Sequence, residues 1–192
     1  PMGAIETQMI DVGYAQMGKH LGLPVHAYMG LSDAKVADWQ AGLETGLGAS
    51  LAALAGVNVC SGPGMLDFES CQSLEKLVLD DEACGFALRL ARGIQEHEGM
   101  AAPELLGAVV DAGHFLGHPH TRRHFRSELY IPRPVIDRGS YGEWEKRGSP
   151  YAHETAADKV RDLIGRGAPA PLDDVRCKAL DGVVAGANLP LL

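Results

Sequence analysis

Apolar residues recur close to the helical period from Ile5 to Leu21 (Ile5, Met9, Ile10, Val12, Met17, Leu21), and Gly22 stops the run. Pro24 to Met29 then reads as a short extended segment closed by Gly30. Ser32-Asp33-Ala34-Lys35 follows as a polar loop, and Asp33 or Asp38 can cap a helix from about Asp38 to Ala55. That helix is dense in Ala and Gly, so close packing against a neighbour is expected. Gly56 ends it, Val57 to Cys60 reads as a second short strand, and Ser61-Gly62-Pro63-Gly64-Met65 is a tight loop. The pattern then turns helical. It predicts Ser70 to Leu79 and Glu82 to His97 with a break near Asp80-Asp81, then Pro103 to Ala112 with Pro in the first turn. Ala152 to Ile164 and Leu172 to Ala187 follow, joined by a Gly/Pro/Ala connector from Gly165 to Pro171.

Helix, strand, loop, helix, strand, loop, helix is the order of βα units on a parallel sheet. In such sheets the loops after the strand C-termini line the functional site, here Met29 to Val36 and Ser61 to Glu69. Two parallel strands cannot bury both faces of a sheet or close a barrel. The missing strands must come from another chain or from sequence upstream. The opening Pro1-Met2-Gly3-Ala4, already inside a structured segment and without an initiator Met, is expected for a piece of something longer.

Composition narrows the class. At 192 residues, 46% hydrophobic and 22% charged, the chain is neither disordered nor fibrous. No run approaches the roughly 18 to 20 apolar residues of a membrane span. Seventeen basic against 25 acidic residues give a net charge of -8, which disfavours nucleic acid as a partner. Cys60, Cys71, Cys84 and Cys177 form no CxxC pair, and no signal segment opens the chain, so free thiols in a cytoplasmic protein are expected.

The densest polar stretch, Gly113 to Arg126, holds four of the eight histidines. His114 with His118 and His120 with His124 are i, i+4 pairs that could share a helix face and grip zinc. Gly117 and Pro119 argue against a helix across the first pair, and no HExxH or acidic ligand accompanies them. The plain reading is a loop bonding backbone carbonyls; a third is a polar lid whose His and Arg orient an anionic group. Ser32 to Lys35 is a helix cap with a solvated lysine, or a strand-end loop facing a pocket. Gly62-Pro63-Gly64 fits neither a phosphate loop nor a dinucleotide fingerprint, and no GxSxG elbow is present. Asp67 and Glu69, two apart, diverge on a helix and give a glycosidase little support.

Several runs together resemble the trimethylamine methyltransferase family. They are Gly30-Leu31-Ser32-Asp33-Ala34-Lys35, Asp38-Trp39-Gln40-Ala41-Gly42, Gly64-Met65-Leu66-Asp67, Ser73-Leu74-Glu75-Lys76-Leu77-Val78, Gly113 to Thr121 and Phe125-Arg126-Ser127-Glu128-Leu129-Tyr130. The resemblance covers nearly the whole chain and thins after about Tyr141. It implies a helix-rich α/β chain forming the C-terminal part of a TIM (β/α)8 barrel followed by C-terminal helices. Residues 1–140 would be barrel βα units with the polar segment, and 141–192 a helical tail. It also implies an enzyme that moves a methyl group from trimethylamine, or a quaternary amine such as glycine betaine, to the Co(I) corrinoid of a separate carrier protein, with no metal bound directly. A homo-oligomer is expected.

Some archaeal members of that family carry pyrrolysine in the barrel. Leu31 stands nearest that position here, which the resemblance reads as the quaternary-amine branch. A quaternary ammonium is a cation with a built-in leaving group, so the enzyme must bind the cation over aromatic faces and aim one methyl in line. Tyr28 is the candidate aromatic wall, with barrel filling as its plain alternative, and Met65 a soft neighbour. Leu31, Asp33 and Lys35 complete the strand-end candidates. A betaine carboxylate could be engaged by His114, His118, His120 or Arg126. Catalytic residues proper are not assigned. The competing readings are a metal-dependent hydrolase or lyase using His114 to His124, and a non-catalytic barrel fragment.

Overall fold

A computed structural model describes residues 1–97, 103–110, 112–167 and 172–186. The chain divides into two compact units, Pro1–Val160 and Arg161–Leu192. In chain order the elements are α1 (Ile5–His20), β1 (His26–Ala27), α2 (Trp39–Ala55), β2 (Val59–Cys60), β3 (Met65–Leu66) and β4 (Cys71–Gln72). There follow α3 (Leu74–Arg92), α4 (Pro103–Val110), α5 (Pro119–Glu128), α6 (Tyr141–Lys146), α7 (Ala152–Gly165) and α8 (Asp174–Gly186). The architecture is a helix-rich α/β chain with few and very short strands.

β1 and β2 pair in parallel, His26 with Val59 and Ala27 with Cys60. A parallel pair needs a crossover, and α2 supplies it. The strand residues alternate: Ala27 and Met29 are buried, whereas His26 and Tyr28 are exposed on the other face. Ala27, Met29 and Ala52 form the core beneath the sheet, with Val12, Leu51, Val57 and Cys60 packed on it. α2 reaches that core because of Gly48. A Cβ there would sit 1.9 Å from the Met29 carbonyl oxygen, so only glycine lets the helix lie on the strand-end backbone.

Asp38 caps α2, its side chain accepting from Ala41 N at 3.2 Å. Two expectations about the next region are corrected. Cys71–Gln72 does not begin a helix but pairs antiparallel with Met65–Leu66, and α3 starts at Leu74 behind the Ser73 cap. Nor does α3 break at Asp80-Asp81. Asp80 is buried and faces Lys76 one turn back, so it is held inside the helix and caps nothing. α3 is continuous for 19 residues and ends at Gly93 rather than His97.

The Pro119–Glu128 segment is helical with Pro at its start, and only one of the two histidine pairs, His120 and His124, lies on that helix. α4 begins at Pro103 as expected; of its anticipated end, Asp111 lies outside the described residues. So do Ala187 of the last helix and 168–171 of the connector. All four cysteines are free thiols. No helix among the described residues is long and apolar enough to cross a membrane.

Candidate functional site

The two loops that leave the C-terminal ends of β1 and β2 are stitched to each other. Gly30 N donates to Ser61 O (2.9 Å), Ser32 N to Met65 O (3.2 Å) and Asp67 N to Ala34 O (2.9 Å), extending the strand pairing into irregular backbone. At Gly62 the backbone has φ +119°, and a Cβ would lie 2.6 Å from Leu31 N. The first loop is buried rather than solvated: Leu31 is 1% exposed, Ser32 0% and Ala34 1%.

Glu44, reaching across from α2, explains that burial. Its Oε2 accepts from Ser32 Oγ (2.6 Å) and from Asp33 N (2.8 Å). Burial opposes its ionisation. The bonds from Ser32, Gln40 and Asp33 N, with the Lys35 charge, outweigh that and hold the carboxyl below the usual carboxylate range. Asp33 points the other way, its Oδ1 accepting from Met2 N and Gly3 N and so fixing the entry to α1. Lys35 clamps the two loops from outside. Its Nζ donates to Asp33 O (2.6 Å), pairs with Asp67 (3.1 Å) and lies 4.8 Å from the Phe68 ring centre. Asp67 and Phe68 both have positive φ, 48° and 65°, a left-handed pair of non-glycine residues that the clamp holds in place.

The second loop is tied down from below. Gly64 N donates to Asp80 Oδ2 (2.7 Å), Lys76 Nζ pairs with Asp80, and Lys76 also donates to Thr45 Oγ1 (2.9 Å). Lys76 is 1% and Asp80 3% exposed. Burial pushes the Asp80 carboxyl up, partly offset by the Lys76 charge and the Gly64 bond.

Above this frame stands the exposed face of the sheet. His26 Nε2 lies 2.7 Å from Ser61 Oγ across the strands, and the His26 and Tyr28 rings meet edge-on at 4.9 Å. Tyr28 is 37% exposed. Tyr28, Leu31, Asp33, Lys35 and Met65 are therefore brought into one interlocked pair of loops. His26, Ser61 and Glu44 were not singled out from sequence. For His26 the signal was there, because it stands two residues before Tyr28 and so shares its face. Ser61 and Glu44 carry no local signature.

The histidine stretch is placed elsewhere, around the C-terminal end of α3. His114 is exposed, and His118 Nδ1 accepts from His120 N (3.2 Å) as the cap of α5. His97 stacks on His124 with ring centres 4.0 Å apart, and the His120 ring lies 4.7 Å from His124. His97 Nε2 lies 3.0 Å from Glu128 Oε1, and Arg89 Nη2 3.1 Å from Glu128 Oε2. The His97 bond, opposed by burial and helped by the Arg89 and Arg92 charges, holds Glu128 below the usual carboxylate range. Desolvation, with the charges of His97, His120 and Arg123, pulls His124 down. Among the described residues no three His, Cys, Asp or Glu side chains are grouped to hold a metal ion.

Residues 1–187 match the model of the trimethylamine methyltransferase family. The chain belongs to that family. A trimethylamine methyltransferase of Methanosarcina acetivorans is 32% identical over 189 residues, covering 98% of this chain and 38% of the relative. A glycine betaine methyltransferase of Desulfitobacterium hafniense is 34% identical over 173 residues, covering 90% of this chain and 36% of the relative. The chain thus spans a little over a third of the length of these family members. The matched region takes in both interlocked loops and α5.

Proposed function

We propose that this chain supplies two adjacent βα units of a (β/α)8 barrel in a methyltransferase acting on trimethylamine or a quaternary amine such as glycine betaine. The methyl acceptor in this reading is the Co(I) corrinoid of a separate carrier protein, which acts as the nucleophile. The observation that carries the proposal is the pair of loops interlocked beyond the C-terminal ends of two parallel strands, in a chain of this family. Barrel enzymes build their sites from such loops. The exposed His26–Tyr28 face is then the interior side of the barrel, and further strands would flank β1 and β2.

In this reading Tyr28 presents its ring to the ammonium cation, and the His26–Ser61 contact fixes the ring's angle. The bond between methyl carbon and nitrogen breaks with its electron pair remaining on nitrogen, so a quaternary amine leaves as a neutral tertiary amine and trimethylamine, bound as its ammonium cation, leaves as dimethylamine. No proton has to move. What the protein must supply is therefore a fixed line of approach, and loops bonded to each other and to a buried ion pair are suited to that. Leu31, buried at the strand end, fits the quaternary-amine branch. Met65 borders the second loop. Lys35 and Asp33 hold the loops rather than the substrate.

The test is to mix the full gene product carrying this sequence with a reduced corrinoid carrier and a panel of methylated amines, following the cobalt spectrum. Methylation with trimethylamine or glycine betaine is expected. No spectral change with any methylated amine overturns the proposal.

A further inference from the structure

The geometry points to a second ligand site, in the cleft between the C-terminal half of α3 and residues 126–131, for a phosphate-class dianion carried on a small apolar body. The cleft has a volume of about 460 Å³ and is walled by Arg89, Arg92 and Arg126 over Leu88, Leu129 and Ile131. The three arginines are not equivalent. Arg89 is committed to structure: it donates to Glu128 O (2.7 Å) and Gly93 O (2.7 Å), and pairs with Glu128 Oε2. Arg92 gives one N–H to Ser127 O, which leaves the rest of its planar fork open. Arg126 makes no hydrogen bond or ion pair within the described residues; its guanidinium lies 5.6 Å from the neighbouring Phe125 ring centre.

The carboxylate at this place, Glu128, is already engaged by Arg89 and His97. Two open guanidinium groups therefore border one cleft, neither in an ion pair among the described residues, although the Arg92 charge acts on Glu128. Arg122 and Arg123 on the same helix add to the positive field, in a chain whose net charge is -8. A concentration of unpaired arginine against the overall sign of the chain calls for an anion from outside. Arginine forks grip tetrahedral oxyanions with two parallel N–H bonds each, and a dianion answers both forks. Leu88, Leu129 and Ile131 offer the organic part of the ligand an apolar floor.

This site stands apart from the strand-end loops. Ser73 N, at the start of α3, bonds Gly64 O of the second loop, whereas Arg89 and Arg92 stand in the last turn. Nineteen residues at about 1.5 Å each put roughly 28 Å between the two ends of the helix.

Calorimetric titration of the protein with phenyl phosphate in low-salt buffer at pH 8 tests the inference, with inorganic phosphate and benzoate as parallel arms. One saturable site for phenyl phosphate is expected, with both other probes weaker. Arg92→Gln and Arg126→Gln should each weaken phenyl phosphate about tenfold or more, as loss of a charge-assisted bidentate bond does. Because the Arg126 side chain makes no hydrogen bond or ion pair among the described residues, Arg126→Gln should leave circular dichroism and melting unchanged. It carries the test alone if Arg92→Gln fails to fold. Absence of saturable binding, or binding unaltered in Arg126→Gln, overturns the site. Benzoate as tight as phenyl phosphate overturns the dianion, and inorganic phosphate as tight overturns the apolar body.

Discussion

At the N-terminal end of α3 the charged groups are buried and paired, while at its C-terminal end arginines stand in water with donors open. Lys76 and Asp80 are almost without solvent contact, and between them they bind α2 through Thr45 and the second loop through Gly64. Among the described residues the Arg92 and Arg126 side chains bond one backbone carbonyl between them. A buried pair contributes little net stability, yet it is severe to break, so it specifies where the loop must lie. Arg126 thus contributes no bond to the fold there and Arg92 only one, to Ser127 O, so both keep capacity for a ligand. One helix thus carries a positioning end and a receiving end.

The largest effect should come from removing one partner of the buried pair. Lys76→Met leaves Asp80 buried without its cation and should cost about 3–5 kcal/mol, read as a lowered midpoint in urea unfolding. Arg92→Gln at the other end should move the midpoint far less; equal losses would erase the contrast. Next in size is Gly48→Ala. Its Cβ would meet the Met29 carbonyl at 1.9 Å, so α2 must back away at a cost of about 1–3 kcal/mol, with thermal melting as the readout.

Glu44→Gln sharpens the account of the first loop through pH. The native carboxyl titrates below its ordinary value of 4.5, so its contribution is present above that value and is lost as pH falls through the lowered one. The variant should therefore show a flatter loss of stability on acidification below about pH 4.5 than the parent, by urea midpoints taken across that range. An unchanged acid limb would remove Glu44 as the keystone of the loop. The smallest effect belongs to Lys35→Ala, which deletes an exposed clamp worth about 0.2–1 kcal/mol, and the loss should shrink in high salt.

α1 was legible from its apolar period and the Gly22 stop, although Met9, Ile10 and Met17 of that run lie exposed, and α2 from its Asp38 cap and the Gly56 stop. Asp38 was one of the two caps expected. The β3–β4 hairpin was not legible, since two-residue strands are too short to show any alternation and Met65–Leu66 finds its partner only in space. Asp80-Asp81 looked like punctuation because a lone aspartate in a helix is usually exposed. What keeps Asp80 inside is Lys76 four residues earlier, a spacing visible in the sequence, together with Gly64, which is not. α5 lacked an apolar stripe, and its docking rests on Arg89, His97 and Glu128, partners up to 39 residues apart. Of the site, the strand-end loops were readable from order alone. Glu44, His26 and Ser61 were not, because each acts across a distance in chain that only the fold closes.

The most direct measurement is kcat/KM for corrinoid methylation by the full gene product, comparing Tyr28→Leu with Arg92→Gln. In the proposed reading Tyr28 faces the cation while Arg92 stands at the far end of α3, so Tyr28→Leu should lose about tenfold or more, the scale of a desolvated cation–π contact, and Arg92→Gln should match the parent. A loss in Arg92→Gln with Tyr28→Leu unaffected would contradict the placement of the amine site at the strand-end loops.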